Sequence, residues 1–267
     1  MTAPAFTGSI PQNYHTYLVP LIFDAYAKDM ARRLAPGPNA RVLELACGTG
    51  VVTKELLHAM PEDARLTATD LSLPMLEIAR TFVGPDPRVT FQPADACAIP
   101  FGDRSFDLIA CQYGVMFFPD KDKAMKEARR VLAPGGRYVF NVWGSLAQNP
   151  IARIGHETVG RLFPNNPPTF LHRLPFGYSD KKELERVVRA GGFAHVEAQT
   201  VEFPCVAPSA EDAARGFIEG TPVAVELSER GVTDMTPVRR AVTEALAKEF
   251  GDRPCRATMS AVVVTAS

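Results

Sequence analysis

The stretch VLELACGTGVVT (residues 42–53) decides the fold, because it joins an apolar run to a glycine loop and then to a second apolar run. A short run of Val and Leu ending at a loop reads as a strand buried in a parallel sheet. Gly48, Thr49 and Gly50 make a tight turn, and residues 50–60, closed by Pro61, read as a helix. A strand, a glycine turn and a helix N-terminus together suit a nucleotide-type ligand at the C-terminal edge of a sheet. Glu44 departs from that pattern, since a carboxylate beside the loop repels phosphate. The expected ligand therefore carries positive charge. The dinucleotide fingerprint G-x-G-x-x-G is also incomplete, because Thr53 stands where its third glycine belongs.

The alternation continues on both sides. ARVLELA (40–46), RLTATDL (65–71), VTFQPAD (89–95), SFDLIACQYG (105–114) and GRYVFNVW (136–143) read as strands. SLPMLEIARTFV (72–83) is a helix with Ser72 at its N-cap, and DKAMKEARRVLA (122–133) is a helix that stops at Pro134-Gly135-Gly136. Upstream, residues 14–34 carry apolar side chains at helical spacing, with a start or kink at Pro20. Phe23 and Tyr26 on this helix read as core. Past Gly144 the rhythm breaks. A short helix near 150–163, a capped helix over 179–193, a strand over 195–203, two or three helices over 208–251 and a terminal strand over 256–266 follow.

The predicted fold is α/β: a doubly wound, mostly parallel, seven-stranded sheet with an N-terminal helical segment and lid insertions. The expected organisation is an N-terminal helical cap (1–38) and a cofactor-binding core (39–143). A substrate-covering insertion (144–178) and the C-terminal half of the core (179–267) complete it, with a helical lid at about 205–251.

Composition narrows the function. The chain has 267 residues, 46 % apolar, with a formal charge of −1. That is enough for a full core, and no overall field draws it to nucleic acid or an anionic membrane. The five cysteines, Cys47, Cys97, Cys111, Cys205 and Cys255, are scattered without a C-x-x-C pair. They read as reduced thiols of a cytoplasmic protein, with no metal pattern. No targeting pattern opens the sequence, and no apolar run is long enough to span a bilayer.

Two further acids sit where Glu44 does, at strand ends. Asp70 ends the second strand, where a carboxylate can accept both hydroxyls of a ribose, or cap the next helix. Asp95 ends the third, where it can accept from an exocyclic adenine amine, or stand as a solvated turn residue. Three acids thus meet one edge of the sheet, while the strand interiors are almost uncharged.

Together, ELACGTG (44–50), DLSLPM (70–75), ADACAIPF (94–101), SFDLIACQYG (105–114) and PGGRYVF (134–140) resemble a class I S-adenosylmethionine-dependent methyltransferase. The nearest likeness is to small-molecule enzymes of the quinone-biosynthesis C-methyltransferase type. It is strong over residues 14–143 and topological over 180–266. The resemblance implies S-adenosyl-L-methionine as cofactor, a sulfonium without phosphate, which suits an acidic loop. It implies that Gly48 and Gly50 face the methionyl part, that Glu44 helps to place its ammonium, and that Ala46 belongs to the cofactor-binding set. Asp70 would take the ribose, Leu71 and Met75 flank the adenine, and Asp95 and Ala96 meet its edge. Gln112 and Tyr113 would lie near the sulfonium. Tyr14 and Tyr17, three apart on one helical face, would close over the cofactor, or be ordinary half-buried tyrosines.

Methyl transfer is an in-line displacement that needs a base only when the nucleophile must lose a proton. His15, His156 and His172 are the histidines considered for that role. His172 and Tyr14 are preferred, because they lie in segments expected to cover the site. Trp143, Phe163, Phe170, Leu171 and Phe176 could line an apolar acceptor pocket or simply pack over the sheet edge. The expected partner is a small molecule, with no nucleic acid and no membrane span, and the chain a monomer or homodimer. The alternatives are a nicotinamide-dependent oxidoreductase, a nucleic-acid methyltransferase and a cofactor-binding scaffold. The first lacks the third glycine. The second lacks a basic patch and has QYGV (112–115) where an Asn/Asp-Pro-Pro-aromatic element would stand.

Overall fold

The N-terminal helical run is broken rather than straight. A computed structural model, which describes residues 6–267, places α1 at Ile10–Asn13, a π-helical turn at Tyr14–Leu18, α2 at Val19–Ile22 and α3 at Asp24–Leu34. The run thus starts at Ile10, four residues before the expected 14. Pro20 causes no break, because it lies in the first turn of α2, where its missing N–H leaves no hydrogen bond unmade. The irregularity lies just before it, where the Val19 N–H bonds back to the Tyr14 carbonyl in the wider π pattern.

The α/β alternation matches the expected order. β1 (Arg41–Leu45) leads through the glycine loop to α4 (Val51–Ala59). β2 (Arg65–Asp70) leads to α5 (Leu73–Val83), and β3 (Val89–Pro93) and β4 (Phe106–Gln112) follow. α6 (Lys121–Val131) is capped by Asp120, which accepts from the Lys123 N–H, and β5 (Leu132–Trp143) comes next. The later part holds α7 (Pro150–Leu162), the four-residue α8 (Phe170–Arg173), α9 (Lys181–Ala190) and β6 (Val196–Ala207). α10 (Ala210–Glu219), α11 (Val223–Glu229), α12 (Thr236–Phe250) and β7 (Cys255–Ala266) finish the chain. The strands form one seven-stranded sheet in the order β3-β2-β1-β4-β5-β7-β6. β1 to β5 pair in parallel, and β7 runs antiparallel to both β5 and β6.

Alternation along β1 shows why both faces are covered. Val42 packs with Met30, Leu34, Val52 and Leu56 on the α3–α4 side. Its neighbour Leu43 packs on the other side with Ile109, Met125 and Phe140. Both are fully buried. Helices on each face of a parallel sheet make such a strand apolar throughout.

The boundary between α6 and β5 also differs from expectation. α6 stops at Val131, and β5 begins at Leu132, before the Pro-Gly-Gly stop. Phe106 pairs with Leu132 but Leu108 with Arg137, so extra residues bulge out between those two pairs. Pro134-Gly135-Gly136 is that bulge.

Candidate active site

The carboxyl ends of β1, β2 and β4 open on one cavity of about 540 Å³. A parallel sheet aims its loops to this edge, and the strand order reverses direction beside β1, where a crevice forms. The strand order gives the cavity two sides with different chemistry. Asp70 ends β2 and Asp95 follows β3, on one side of β1, where Ala46, Gly48, Leu71, Met75 and Ala96 also line it; Trp143 ends β5, beyond β4, stacks toward Phe176, and is joined in the lining by Phe117, Phe170 and Phe217. Among the described residues, none that lines it is Lys, Arg or His.

The acidic side is built by backbone donors. Asp70 Oδ2 accepts the Gly48 N–H at 2.8 Å, and Oδ1 accepts the Ser72 N–H at 2.8 Å. Asp70 thus does part of the capping expected of Ser72, whose side chain makes no cap bond. Four lone-pair sites on a carboxylate leave room for further donors. Burial pushes the Asp70 carboxyl up, against the N–H groups that lower it. Asp95 Oδ1 accepts the Cys97 N–H at 2.8 Å. The two loop glycines differ. Gly50 has φ +88° and packs on α5, with a Cβ there falling 3.1 Å from Ala79 Cβ and Val83 Cγ2. Gly48 has φ +55° and a Cβ there would meet no protein atom within 4 Å, so its open side faces the cavity.

Glu44 lies beneath this surface. It is buried, does not line the cavity, and accepts from Thr53 Oγ1 at 2.6 Å. Burial, reinforced by nearby Asp70 and only partly offset by the Thr53 bond, pushes its carboxyl up to about 8.

Of the residues singled out from the sequence, Tyr14, Ala46, Gly48, Asp70, Leu71, Met75, Asp95, Ala96, Gln112 and Tyr113 are brought to the cavity. Glu44, Gly50, Tyr17 and His172 are not. Tyr14 and Tyr17 do not share a face, because the π turn between them rotates three-apart residues away from each other. Tyr14 stacks toward Phe23 at 5.1 Å, whereas the Tyr17 hydroxyl accepts from Arg215 Nη1 at 2.9 Å on α10. His172 is exposed, its ring 6.3 Å from that of His156. His15 packs on Phe82. Of the apolar set, Trp143, Phe170, Leu171 and Phe176 line the cavity and Phe163 does not.

Sequence reasoning missed Phe117, Phe217 and Thr221. Phe117 closes a short 3-10 turn (Val115–Phe117) directly after β4, and its place four residues past Tyr113 was the available signal. Phe217 and Thr221 come from α10 and the turn after it, and carry no local signature. Tyr113 stacks on Trp143 at 3.7 Å and 11°. Its N–H bonds to Asn141 Oδ1 at 2.9 Å, which ties the end of β4 to β5.

Comparison with known proteins places this geometry. The family model of a methyltransferase domain matches residues 42–136. A demethylmenaquinone methyltransferase of Clavibacter sepedonicus is 33 % identical over 186 residues, covering 66 % of this chain and 74 % of that protein. Two solved structures share the fold. The YcgJ protein from Bacillus subtilis has a TM-score of 0.55 at 22 % identity, covering 91 % of this chain and 97 % of that one. Phosphoethanolamine N-methyltransferase 2 of Haemonchus contortus, with phosphomonomethylethanolamine and S-adenosylhomocysteine, has a TM-score of 0.60 at 16 % identity, covering 97 % and 56 %. The nicotinamide alternative finds no support in these relationships. The cofactor is S-adenosylmethionine, and the chain belongs to the class I S-adenosylmethionine-dependent methyltransferases of the quinone-biosynthesis type.

Proposed function

We propose that the chain transfers a methyl group to a small, apolar acceptor held at the aromatic side of the cavity. The observation that carries this reading is one cavity in which, among the described residues, acids without any cation stand by β2 and β3 and aromatic side chains stand by β5. An acidic, phosphate-averse side fits an adenosine bearing a sulfonium, and the open side of Gly48 is a cradle that any side chain would fill. S-adenosylmethionine, when bound, supplies a methyl carbon already activated by its sulfonium.

The chain's residues then position and exclude water. Asp70 takes the ribose hydroxyls with its remaining lone pairs. Asp95 and Ala96 meet the adenine edge, with Leu71 and Met75 against its faces. Ala46 and Gly48 flank the methionyl part. Gly50 and Glu44 act at one remove: Gly50 seats the loop on α5, and Glu44 holds Thr53 of α4 beneath the loop. Gln112 and Tyr113 border the reacting carbon. Tyr14 closes over the cofactor, and Tyr17 fixes that helix to α10 instead of joining it. Orientation alone can supply about 7–11 kcal/mol of rate acceleration.

An acceptor hydroxyl loses its proton to solvent, since among the described residues no histidine or lysine lines the cavity to take it. Burial raises both Tyr14 and Tyr113, so they stay neutral phenols and take no proton from the acceptor. His172, exposed away from the cavity, is set aside as a base. The relative's name, a demethylmenaquinone methyltransferase, supports beginning an acceptor screen with quinols and phenols. Calorimetric titration with S-adenosylmethionine and with NADH tests the cofactor, and transfer of a labelled methyl group across that screen tests the acceptor. Binding of the sulfonium compound alone, with methylation of an apolar ring, is expected. Binding of NADH alone, or methylation confined to highly charged acceptors, contradicts the reading.

A further inference from the structure

Phe170 and Phe117 close the aromatic side with rings parallel within 12° and centroids 6.2 Å apart. Carbon faces in full contact stand about 3.5–4.0 Å apart, as Tyr113 stands on Trp143. Each Phe ring therefore keeps part of a face uncovered by the other. Phe170 opens α8, which has only four residues, and so short a helix has no stability of its own.

Helix α11 holds it in place. Glu226 Oε2 accepts the N–H groups of Thr169 at 2.8 Å and Phe170 at 3.0 Å, and Oε1 accepts the Thr169 hydroxyl at 3.3 Å. One turn later, Arg230 Nε donates to the Asn166 carbonyl at 2.7 Å. Its Nη2 donates to the Pro167 carbonyl at 3.1 Å and to Asn166 Oδ1 at 3.2 Å. The same guanidinium donates to the Glu226 backbone carbonyl, which ties the Arg230 side chain to the last turn of α11. Leu227, fully buried between them, anchors α11 in the core. Neither Glu226 nor Arg230 lines the cavity, yet together they orient the backbone of 166–170 that delivers Phe170 into it.

We propose that Glu226 and Arg230 are positioning residues for acceptor selection: they set Phe170 against Phe117 and so favour a flat ring over a puckered one. This rests on the reading of the cavity as the methyl-transfer site. The test is calorimetry on the whole chain saturated with S-adenosylhomocysteine. The two probes are 2-naphthol and its fully saturated counterpart, decahydro-2-naphthol. The native chain should bind the flat probe about tenfold more tightly, as expected of aromatic contacts beyond simple burial. Glu226→Ala and Arg230→Ala should each bring that ratio below about threefold. Glu226→Gln, which keeps an acceptor oxygen for both N–H groups, should retain it. Phe170→Leu, which keeps the bulk, should lose it. S-adenosylhomocysteine affinity should stay unchanged in all four variants, which also reports that each is folded. A native chain without preference, or Glu226→Ala with the native preference, overturns the proposal. Failure of the native chain to bind S-adenosylhomocysteine instead overturns the reading of the site itself.

Discussion

At the scale of single residues, two carboxyl groups a strand apart do different work. Asp70 faces the cavity with two of its lone pairs held by Gly48 and Ser72. Removing it leaves those two N–H groups unpaired and takes away the proposed ribose contacts. Asp70→Ala is expected to weaken S-adenosylmethionine binding by ~1–3 kcal/mol, read by calorimetry; unchanged affinity contradicts the ribose assignment. Glu44 is buried with Thr53 as its hydrogen-bond partner. Its carboxyl, ordinarily near 4.5, is pushed up to about 8. Between those values the folded chain holds a proton that the unfolded chain has released. Stability therefore falls as pH rises through that window, by up to ~1.4 kcal/mol per pH unit. Glu44→Gln should flatten this slope. Denaturant titrations at several pH values between 5 and 7.5 check it, and equal slopes in the two proteins contradict it.

At the scale of elements, the strand-loop-helix unit of β1 and α4 separates fold from ligand through its two glycines. A methyl at Gly50 meets α5 at 3.1 Å in a left-handed backbone, whereas a methyl at Gly48 meets only the cavity. Gly50→Ala is expected to cost ~1–3 kcal/mol of stability. Gly48→Ala should cost ~1–2 kcal/mol from its backbone alone and lose most of its cofactor affinity. Thermal unfolding and calorimetry on both variants separate the effects; equal losses of affinity contradict the division. These elements were legible in the sequence because apolar runs of period two and 3.6 alternate between clear breakers, and the acids stand at strand ends, where local pattern sets position. The π turn was not legible. Tyr14 and Tyr17 have ordinary helical spacing, and only packing of the turn against α10 separates their faces. His172 was misplaced for a related reason, since α8 is oriented by Glu226 and Arg230 from sixty residues away rather than by its own sequence. Phe217 and Thr221 reach the cavity by the same long-range route.

At the scale of the whole molecule, a sheet covered on both faces leaves its carboxyl edge as the place where ligand binding couples to folding. Leu43, fully buried beneath that edge, should cost ~2–5 kcal/mol on replacement by Ala, seen as a lower denaturation midpoint; a loss under ~1 kcal/mol contradicts its place in the core. A ligand that binds only the folded chain adds ~2.7 kcal/mol of stability at a hundred times its Kd. S-adenosylhomocysteine should therefore raise the unfolding temperature by several degrees, and NADH should leave it unchanged. The most direct measurement is a crystal structure of the complex with S-adenosylhomocysteine. The ribose hydroxyls are expected on the Asp70 carboxylate, the adenine between Leu71 and Met75 with its amine toward Asp95, and the sulfur facing Tyr113. A nucleoside bound elsewhere, or one whose ribose turns away from Asp70, contradicts this placement.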